Sequence, residues 1–213
     1  MGKSTLTAAL SREREVQVFR MRESAWSHRE VVPGLSEALL RSDDPLGWVD
    51  DKFVEPLLRE SIPRILALRP ELVVFENFPG NASQVTTLHT FLATLSQPPS
   101  RLTVVELVAP PDQLRSRIEI RRVCVVCEPD LRGEPHAPAS GSSGDPERCD
   151  SCGAQLRRRS SDEFDRFEAR LSRYTSSRSA LVERFLHHGV EVHRVSGLGS
   201  RRLIARTIGT LLT

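Results

Sequence analysis

The sequence lacks the features that would direct it to a membrane or a secretory pathway. No apolar run approaches the roughly 20 residues that a membrane-spanning helix needs, and the N-terminus lacks the basic, apolar and small-residue regions of a signal peptide. An excess of one charge is also missing, since 30 Lys and Arg residues face 28 Asp and Glu residues. This balance argues against a general nucleic-acid binder held by bulk electrostatics. We therefore expect a cytoplasmic protein with no membrane and no specific nucleic acid as partner.

What the sequence does contain is an alternation of apolar runs and helical segments. Its 213 residues suffice for one domain with an insertion. Continuous apolar runs are typical of strands that are buried on both faces of a parallel sheet. The alternation predicts an α/β protein with a doubly wound parallel sheet. The predicted strands are Val16–Phe19, Leu72–Phe75, Thr103–Val108 and Val190–Val195.

Composition changes between the third and fourth predicted strands. From residue 124 to residue 159 the sequence turns to Gly, Pro, Ser and Cys, which is typical of loops. A helix is predicted to restart after it, because Ser160 and Glu163 have the spacing of a capping box. We predict a small inserted domain within a larger core, the insert being residues 123–159 and the core residues 1–122 and 160–213.

All four cysteines lie in this insert, as two CxxC pairs separated by 21 residues: Cys124 with Cys127, and Cys149 with Cys152. Paired CxxC motifs let four thiolates surround one zinc ion at about 2.3 Å. Two disulfides are the alternative, but a reducing compartment disfavours them. Free thiols are disfavoured because no cysteine falls outside the pattern. Four protein ligands leave no open position, so the predicted zinc is structural and holds together an insert too small to build its own core.

The chain opens with MGKSTLTAAL, and Gly2, Lys3, Ser4 and Thr5 match the end of the phosphate-binding motif GxxxxGK[ST]. The beginning of that motif, and the strand that normally precedes it, are missing. A doubly wound sheet without its central strand would expose unpaired edges. We hypothesise that the gene begins upstream and that Met1 is a mis-set initiation point. Equal solubility and equal ATP affinity of the 213-residue form and an extended form would refute this hypothesis.

Arginines are concentrated on both sides of the insert. Their planar guanidinium groups bind phosphate oxygens two at a time and keep their charge at neutral pH. Phosphoryl transfer depends on holding phosphates in line and surrounding them with cations. Arg117 and Arg121 are four residues apart on a predicted helix and so share a face, while Arg159 and Arg170 flank or lie within the next helix. These four arginines are candidates for a phosphate clamp, although many arginines in such runs are solvated surface residues.

Taken in order, several stretches resemble the adenylate kinase family of nucleoside monophosphate kinases, over nearly the whole chain. They are GKST, LVVFENFPGNASQ, RSRIEIRRVC, the two CxxC pairs and RRRSSDEFDRFEARLSRY. The resemblance implies a P-loop fold whose insert is a zinc-bearing lid that closes over ATP. It also implies transfer of the γ-phosphate of magnesium ATP to a nucleoside monophosphate, AMP by default, by a protein that we expect to be a monomer.

The resemblance implies a role for each matching residue. Lys3 would contact the β and γ phosphates beside Gly2, and Ser4 or Thr5 would contact magnesium or a phosphate oxygen. Arg117, Arg121, Arg159 and Arg170 would form the phosphate clamp. Glu76 would lie near magnesium and its waters, and Gln84 would read the base of the monophosphate. Asp162 matches the second of two aspartates in the lid of the family, and Ser161 occupies the position of the first.

Two departures from the family pattern fall on the monophosphate side. The arginine that follows Phe-Pro in the family is Gly80 here, and FRMRESAWSHRE offers only Arg20, Arg22 and Arg29 in place of a second substrate arginine. Losing one charge-assisted phosphate contact costs about 1.5 to 3 kcal/mol, or roughly tenfold and more in activity. A kinase for another small acceptor, and a catalytically weak nucleotide-binding relative, therefore stay open. A zinc ribbon that binds nucleic acid is disfavoured because the insert has no aromatic residue to stack on bases.

Overall fold

The computed structural model describes residues 3–42, 44, 46–128, 135 and 137–212, with the backbone alone at Ser4 and Ser160. Helices and strands alternate along the chain. In order the elements are α1 (Lys3–Leu10), β1 (Val16–Phe19), α2 (Met21–Ser27), α3 (Leu35–Arg41), a short 3-10 helix (Asp51–Phe53), α4 (Val54–Ala67), β2 (Leu72–Phe75), α5 (Ala82–Ala93), β3 (Thr103–Val108), α6 (Pro111–Ile120), a second 3-10 helix (Ser160–Asp162), α7 (Phe164–His187), β4 (Glu191–Ser196) and α8 (Arg201–Leu211).

The strands pair in parallel, as predicted, but in two separate pairs. β1 pairs with β2, in a register that places Val16 opposite Leu72. β3 pairs with β4, in a register that places Thr103 opposite Glu191. Among the described residues no strand joins β2 to β3, so the single doubly wound sheet predicted from the sequence is seen as two two-stranded sheets.

Helices α1 and α8 bridge the two strand pairs on one side. Leu6 and Leu10 of α1 pack with Ile204 and Ile208 of α8 in a buried cluster. Side chains from both strand pairs contact this cluster, among them Val16, Leu72, Val105 and Leu107. Burying each such side chain contributes about 1.5 to 3 kcal/mol. This shared core therefore holds the two pairs together without a hydrogen-bonded ladder between them.

Helices α4, α5 and α7 pack on the strands as well. Val54, Leu58 and Ile62 of α4 lie in a cluster with Phe19 of β1 and Leu88 of α5. A further cluster joins α5 to α7 and to the start of β4 through Val85, Phe185 and Val190. No helix in the described part of the chain is both long enough and apolar enough to cross a membrane.

The described part of the insert is anchored between α6 and the second 3-10 helix. Val123 and Arg157 form an antiparallel bridge at its base, with each backbone N–H donating to the other residue's carbonyl. Two further isolated bridges, Gly141 with Cys149 and Arg148 with Gln155, connect chain segments nearer the cysteines. The base of the insert therefore lies beside Arg121 and Asp162, and the carboxyl ends of β1 and β2 carry Arg20 and Glu76.

Candidate functional site

Lys3 begins α1 and lies within electrostatic reach of three other candidates. Burial lowers the pKa of its ammonium group, the carboxylate of Glu76 acts in the opposite direction, and the guanidinium groups of Arg170 and Arg121 lower the pKa further. Residues from the start of the chain, the end of β2 and both flanks of the insert therefore come together. Thr5 is half-buried in the same helical turn, whereas Gly2 and the side chain of Ser4 lie outside what the structure describes.

Asp162 pairs with two of the candidate arginines. Arg121 donates from Nε to Oδ2 of Asp162 at 2.6 Å and from its NH2 group to Oδ1. The NH2 group of Arg170 lies 3.7 Å from the same Oδ1 and donates to the carbonyl of Ser161. The Asp162 side chain is 4% exposed, so this carboxylate is a buried counter-charge that orients both guanidinium groups.

Arg159 is the third arginine of this group. Burial lowers the pKa of Arg170, Asp162 opposes that effect, and the positive charges of Arg159 and Arg121 lower the pKa further. Four cations, which are Lys3, Arg121, Arg159 and Arg170, thus lie within electrostatic reach of one another, and the described carboxylates that act on them are those of Glu76 and Asp162. Concentrated, partly buried positive charge of this kind favours a multiply charged anion, because the anion relieves the repulsion among the cations. We call these six residues the cation cluster.

Glu76 follows the last residue of β2 and is 6% exposed. Its backbone N–H donates to the carbonyl of Phe19, which extends the β1–β2 pairing by one bond. Arg20, the residue after β1, lies 2.8 Å from Glu76 Oε2 through both its Nε and NH2 groups. The sequence identified Arg20 only as one unmatched candidate among three. Its position directly after an apolar strand, level with Glu76, is the signal that points to it.

Arg117 does not join Arg121. Helix α6 ends at Ile120, and Arg121 has an extended backbone with φ −64° and ψ 131°. Arg117, inside the helix, donates from its NH2 group to the carbonyl of Gly197 at 2.8 Å, in the loop between β4 and α8. The two side chains that were expected to share a helix face therefore have different partners.

Gln84 is buried on the first turn of α5, and both ends of its side-chain amide are engaged. Its Oε1 accepts from the backbone N–H of Gly80 at 2.8 Å, and its Nε2 donates to Asp51 Oδ1 at 2.7 Å. Asn81 caps the same helix by accepting from the Gln84 backbone N–H at 2.9 Å. Reading a base would require Gln84 to exchange one of these partners for the ligand, so its predicted role stays a prediction.

The four cysteines form one cluster, and their Sγ atoms all lie within 4.8 Å of one another. The Sγ atoms of Cys124 and Cys152 are 3.4 Å apart, and those of Cys127 and Cys149 are 3.7 Å apart. A backbone hydrogen bond from Cys127 lowers the pKa of the Cys124 thiol to about 7. Hydrogen bonding with the Cys152 side chain raises the pKa of Cys127 to about 12. The cluster can hold a metal ion, because a cation removes the repulsion that otherwise prevents neighbouring thiols from ionising together.

Together the fold and this charge distribution define the class of the molecule, an α/β protein with a cation-rich site at the carboxyl ends of parallel strands. Ligands of α/β proteins bind at that edge. A cysteine-bearing insert adjoins the site, and its two flanks supply Arg121, Arg159 and Arg170 to it.

Comparison with known proteins shows which members of this class the chain resembles. No protein-family model matches the chain. It is 28% identical over 217 residues to the adenylate kinase of Paracoccus denitrificans (strain Pd 1222), with 99% of this chain and 92% of that relative covered. The adenylate kinase of Syntrophobacter fumaroxidans (strain DSM 10017 / MPOB) is 25% identical over 186 residues, with 82% and 83% covered. That of Salinispora tropica (strain ATCC BAA-916 / DSM 44818 / JCM 13857 / NBRC 105044 / CNB-440) is 30% identical over 145 residues, with 68% and 58% covered.

These comparisons confirm the resemblance to the adenylate kinase family that the sequence motifs indicate. The chain is similar to adenylate kinases over most of its length, and the parallel α/β pairing of its described strands agrees with the fold that this similarity implies.

Proposed function

We propose that the protein is a nucleoside monophosphate kinase that transfers the γ-phosphate of magnesium ATP to a nucleoside monophosphate, with AMP as the default acceptor. The observation that carries the proposal is the cation cluster, in which Lys3 and three arginines from both flanks of the insert lie near the carboxylates of Glu76 and Asp162. The relatives named adenylate kinase support the same activity. We further propose that the protein acts in the cytoplasm as a monomer and needs no nucleic acid.

The proposed reaction makes one bond and breaks one. An oxygen of the acceptor's phosphate bonds to the γ-phosphorus of ATP, while the bond from that phosphorus to the β–γ bridging oxygen breaks. Lys3, Arg121 and Arg170 would hold the transferring and leaving phosphates and neutralise the charge that they carry. Because Asp162 already orients Arg121 and Arg170, the site needs little reorganisation when that charge develops.

Glu76 would hold magnesium or its coordinated waters. Carboxylate oxygens are ligands that magnesium prefers, and Arg20 fixes the direction of this carboxylate by contacting Oε2. Bound magnesium neutralises phosphate charge. The chain's own contribution is to keep a buried carboxylate at the end of β2, next to the phosphate-binding lysine.

The cysteine cluster would hold a structural zinc ion. Tetrahedral zinc with bonds of about 2.3 Å places its sulfur ligands about 3.8 Å apart, close to the measured Sγ separations of 3.4 and 3.7 Å. Four thiolates leave no position for substrate, so zinc would stabilise the insert of residues 123–159. That insert would then act as a lid that excludes water from the phosphates.

Turnover with a panel of acceptors tests the proposal. Purified protein with magnesium ATP would be offered AMP, CMP, UMP, GMP and dTMP, and the release of ADP would be measured for each. We expect one monophosphate to be preferred and Arg121→Ala to lower kcat/KM at least tenfold, since it removes a charge-assisted phosphate contact. Arg158→Ala is the matched control, because Arg158 is an exposed neighbour whose hydrogen bond within the described part of the chain goes to the Glu119 carbonyl. No turnover with any acceptor would contradict the proposal.

A second candidate function is a catalytically weak nucleotide-binding protein. The observation that favours it is the monophosphate side, where residue 80 carries no side chain and Gln84 is engaged by Gly80 and Asp51. ATP binding without transfer to any of the five monophosphates would support this second function over the first.

A further inference from the structure

Residue 80 has no room for a side chain. A Cβ atom added to Gly80 would lie 2.5 Å from Cη2 of Trp48 and 2.7 Å from its Cζ3. Both separations are shorter than carbon atoms tolerate, and the atoms that would have to move belong to a rigid ring. Gly80 and Trp48 are therefore a matched pair, because the indole occupies the space that an arginine at position 80 would use.

Trp48 is held in place from a second direction. The guanidinium carbon of Arg173 lies 4.7 Å from the centroid of the Trp48 ring, in a cation–π contact. The NH1 group of Arg173 also donates to Oδ2 of Asp44 at 2.8 Å. Within the described residues, the Nε and NH2 groups of Arg173 make no hydrogen bond. These two groups are donors that a ligand oxygen can use.

Arg173 and Gly80 both belong to elements that build the candidate site. Arg173 lies three residues after Arg170 on α7, so both side chains leave the same side of the helix. Gly80 lies four residues after Glu76, and its backbone N–H binds Gln84. Trp48 thus stands between the acceptor-side loop and α7, the helix that carries Arg170 of the cation cluster.

We propose that Trp48 and Arg173 determine the acceptor of the kinase proposed above. Trp48 excludes a side chain at position 80. Arg173, aligned by the indole and Asp44, supplies the cation that binds the phosphate of the acceptor. This inference rests on the proposed function for the identity of its ligand, a nucleoside monophosphate, and on the geometry of Trp48, Gly80 and Arg173 for the site.

Binding measurements test the inference without needing turnover. Trp48 is one of two tryptophans, so Trp26→Phe leaves it as the only fluorophore of its kind. We expect a nucleoside monophosphate to change Trp48 emission, and Arg173→Ala to weaken monophosphate binding on the order of tenfold while ATP affinity is kept. Arg166→Ala, an exposed arginine on the same helix, is the control and should bind normally. Unchanged monophosphate affinity in Arg173→Ala would overturn the inference.

A double exchange provides the second test. Gly80→Arg alone should disrupt the acceptor site, because the arginine meets the indole. Trp48→Gly with Gly80→Arg frees that space, and we expect the pair to restore monophosphate affinity, measured by calorimetry, even when Arg173 is alanine. Failure of the pair to bind better than Gly80→Arg alone counts against the inference.

The same assays separate this inference from the proposed function. Monophosphate binding that depends on Arg173, with no phosphoryl transfer, supports the inference and contradicts the kinase. Transfer that is indifferent to Arg173 supports the kinase and overturns the inference. If none of the five monophosphates binds, the inference is wrong.

Discussion

Asp162 is the residue on which the arrangement of the cation cluster depends. It pairs with Arg121 through both carboxylate oxygens and lies near Arg170, and its side chain is almost completely buried. A buried ion pair that loses one partner leaves the other charge uncompensated. Removing the Asp162 charge would leave the guanidinium groups of Arg121 and Arg170 without the carboxylate that now pairs with them.

We expect Asp162→Asn to lower the free energy of unfolding by about 3 kcal/mol, the order of magnitude for a buried pair that is broken. Urea denaturation measures this loss, and adding ATP should reduce it because the triphosphate supplies the missing negative charge. Glu163→Gln is the control, since the Glu163 side chain is 66% exposed. Wild-type stability in Asp162→Asn would show that this carboxylate does not organise the arginines.

His188, which follows the last residue of α7, is a second residue whose surroundings disfavour its charged form. Its ring stacks on His89 of α5, with centroids 4.1 Å apart, and meets His187 edge-on. Its Nε2 atom is buried and has no hydrogen-bond partner among the described residues. Burial lowers the pKa of His188, and the neighbouring charges of His89, His187 and Arg184 lower it further.

Protein stability should therefore fall as the pH falls below about 6.5, the ordinary pKa of histidine. Below that pH the unfolded chain binds a proton at residue 188 that the folded protein resists. Stability rises with pH wherever the unfolded state binds more protons, so it falls as the pH is lowered. The loss stops below the lowered pKa of the folded state. Urea denaturation between pH 8 and pH 5 should show a shallower decline for His188→Gln. Parallel curves for the two proteins would contradict this prediction.

Motifs identify most residues of the cation cluster, but not their partners. Four of them lie in stretches that match motifs of the adenylate kinase family, so their proximity could be anticipated from the sequence: Lys3, Glu76, Arg121 and Asp162. The pairing of Arg20 with Glu76 joins residues 56 positions apart, and the contact of Trp48 with Gly80 depends on a loop conformation. No local pattern encodes either contact, since both result from tertiary packing.

At the scale of elements, the strands were predictable and some helix ends were not. The bounds of β1, β2 and β3 agree with the apolar runs, because a continuous apolar run is the signal of a parallel strand. β4 begins and ends one residue later than predicted. The capping box expected at Ser160 is not the start of a helix. Helix α7 begins at Phe164, with Glu163 in the cap position and no side-chain cap hydrogen bond. The preceding 3-10 turn presents Asp162 to Arg121, a tertiary contact that overrides the local signal.

The insert is the element whose integrity should depend on metal. We expect the purified protein to contain one zinc ion per chain by elemental analysis, and Cys152→Ser to lose it, because all four thiolates are needed to complete the tetrahedron. Ser151→Ala, beside Cys152, is the control and should keep its zinc. Four freely titratable thiols in metal-free, fully active wild-type protein would contradict the structural zinc.

At the scale of the whole molecule, two strand pairs are joined by helices on both sides. α1 and α8 bury a core that includes residues of both pairs, and α7 connects α5 to β4 while carrying Arg170 at its other end. The sequence predicts parallel strands but not this division, because apolar runs do not specify which strand is adjacent to which. The bridging helices matter for function, since they hold Lys3 of α1 near the flanks of the insert.

The affinity for magnesium ATP tests most directly whether the cation cluster is a triphosphate site. Calorimetry would measure it for the wild type and for three variants, Arg121→Ala, Arg170→Ala and Arg158→Ala. We predict that the first two substitutions weaken binding by about tenfold or more each, as expected for a lost charge-assisted contact, and that Arg158→Ala binds like the wild type. Equal affinity in all four proteins, or a loss as large in Arg158→Ala as in the other two variants, would contradict the account.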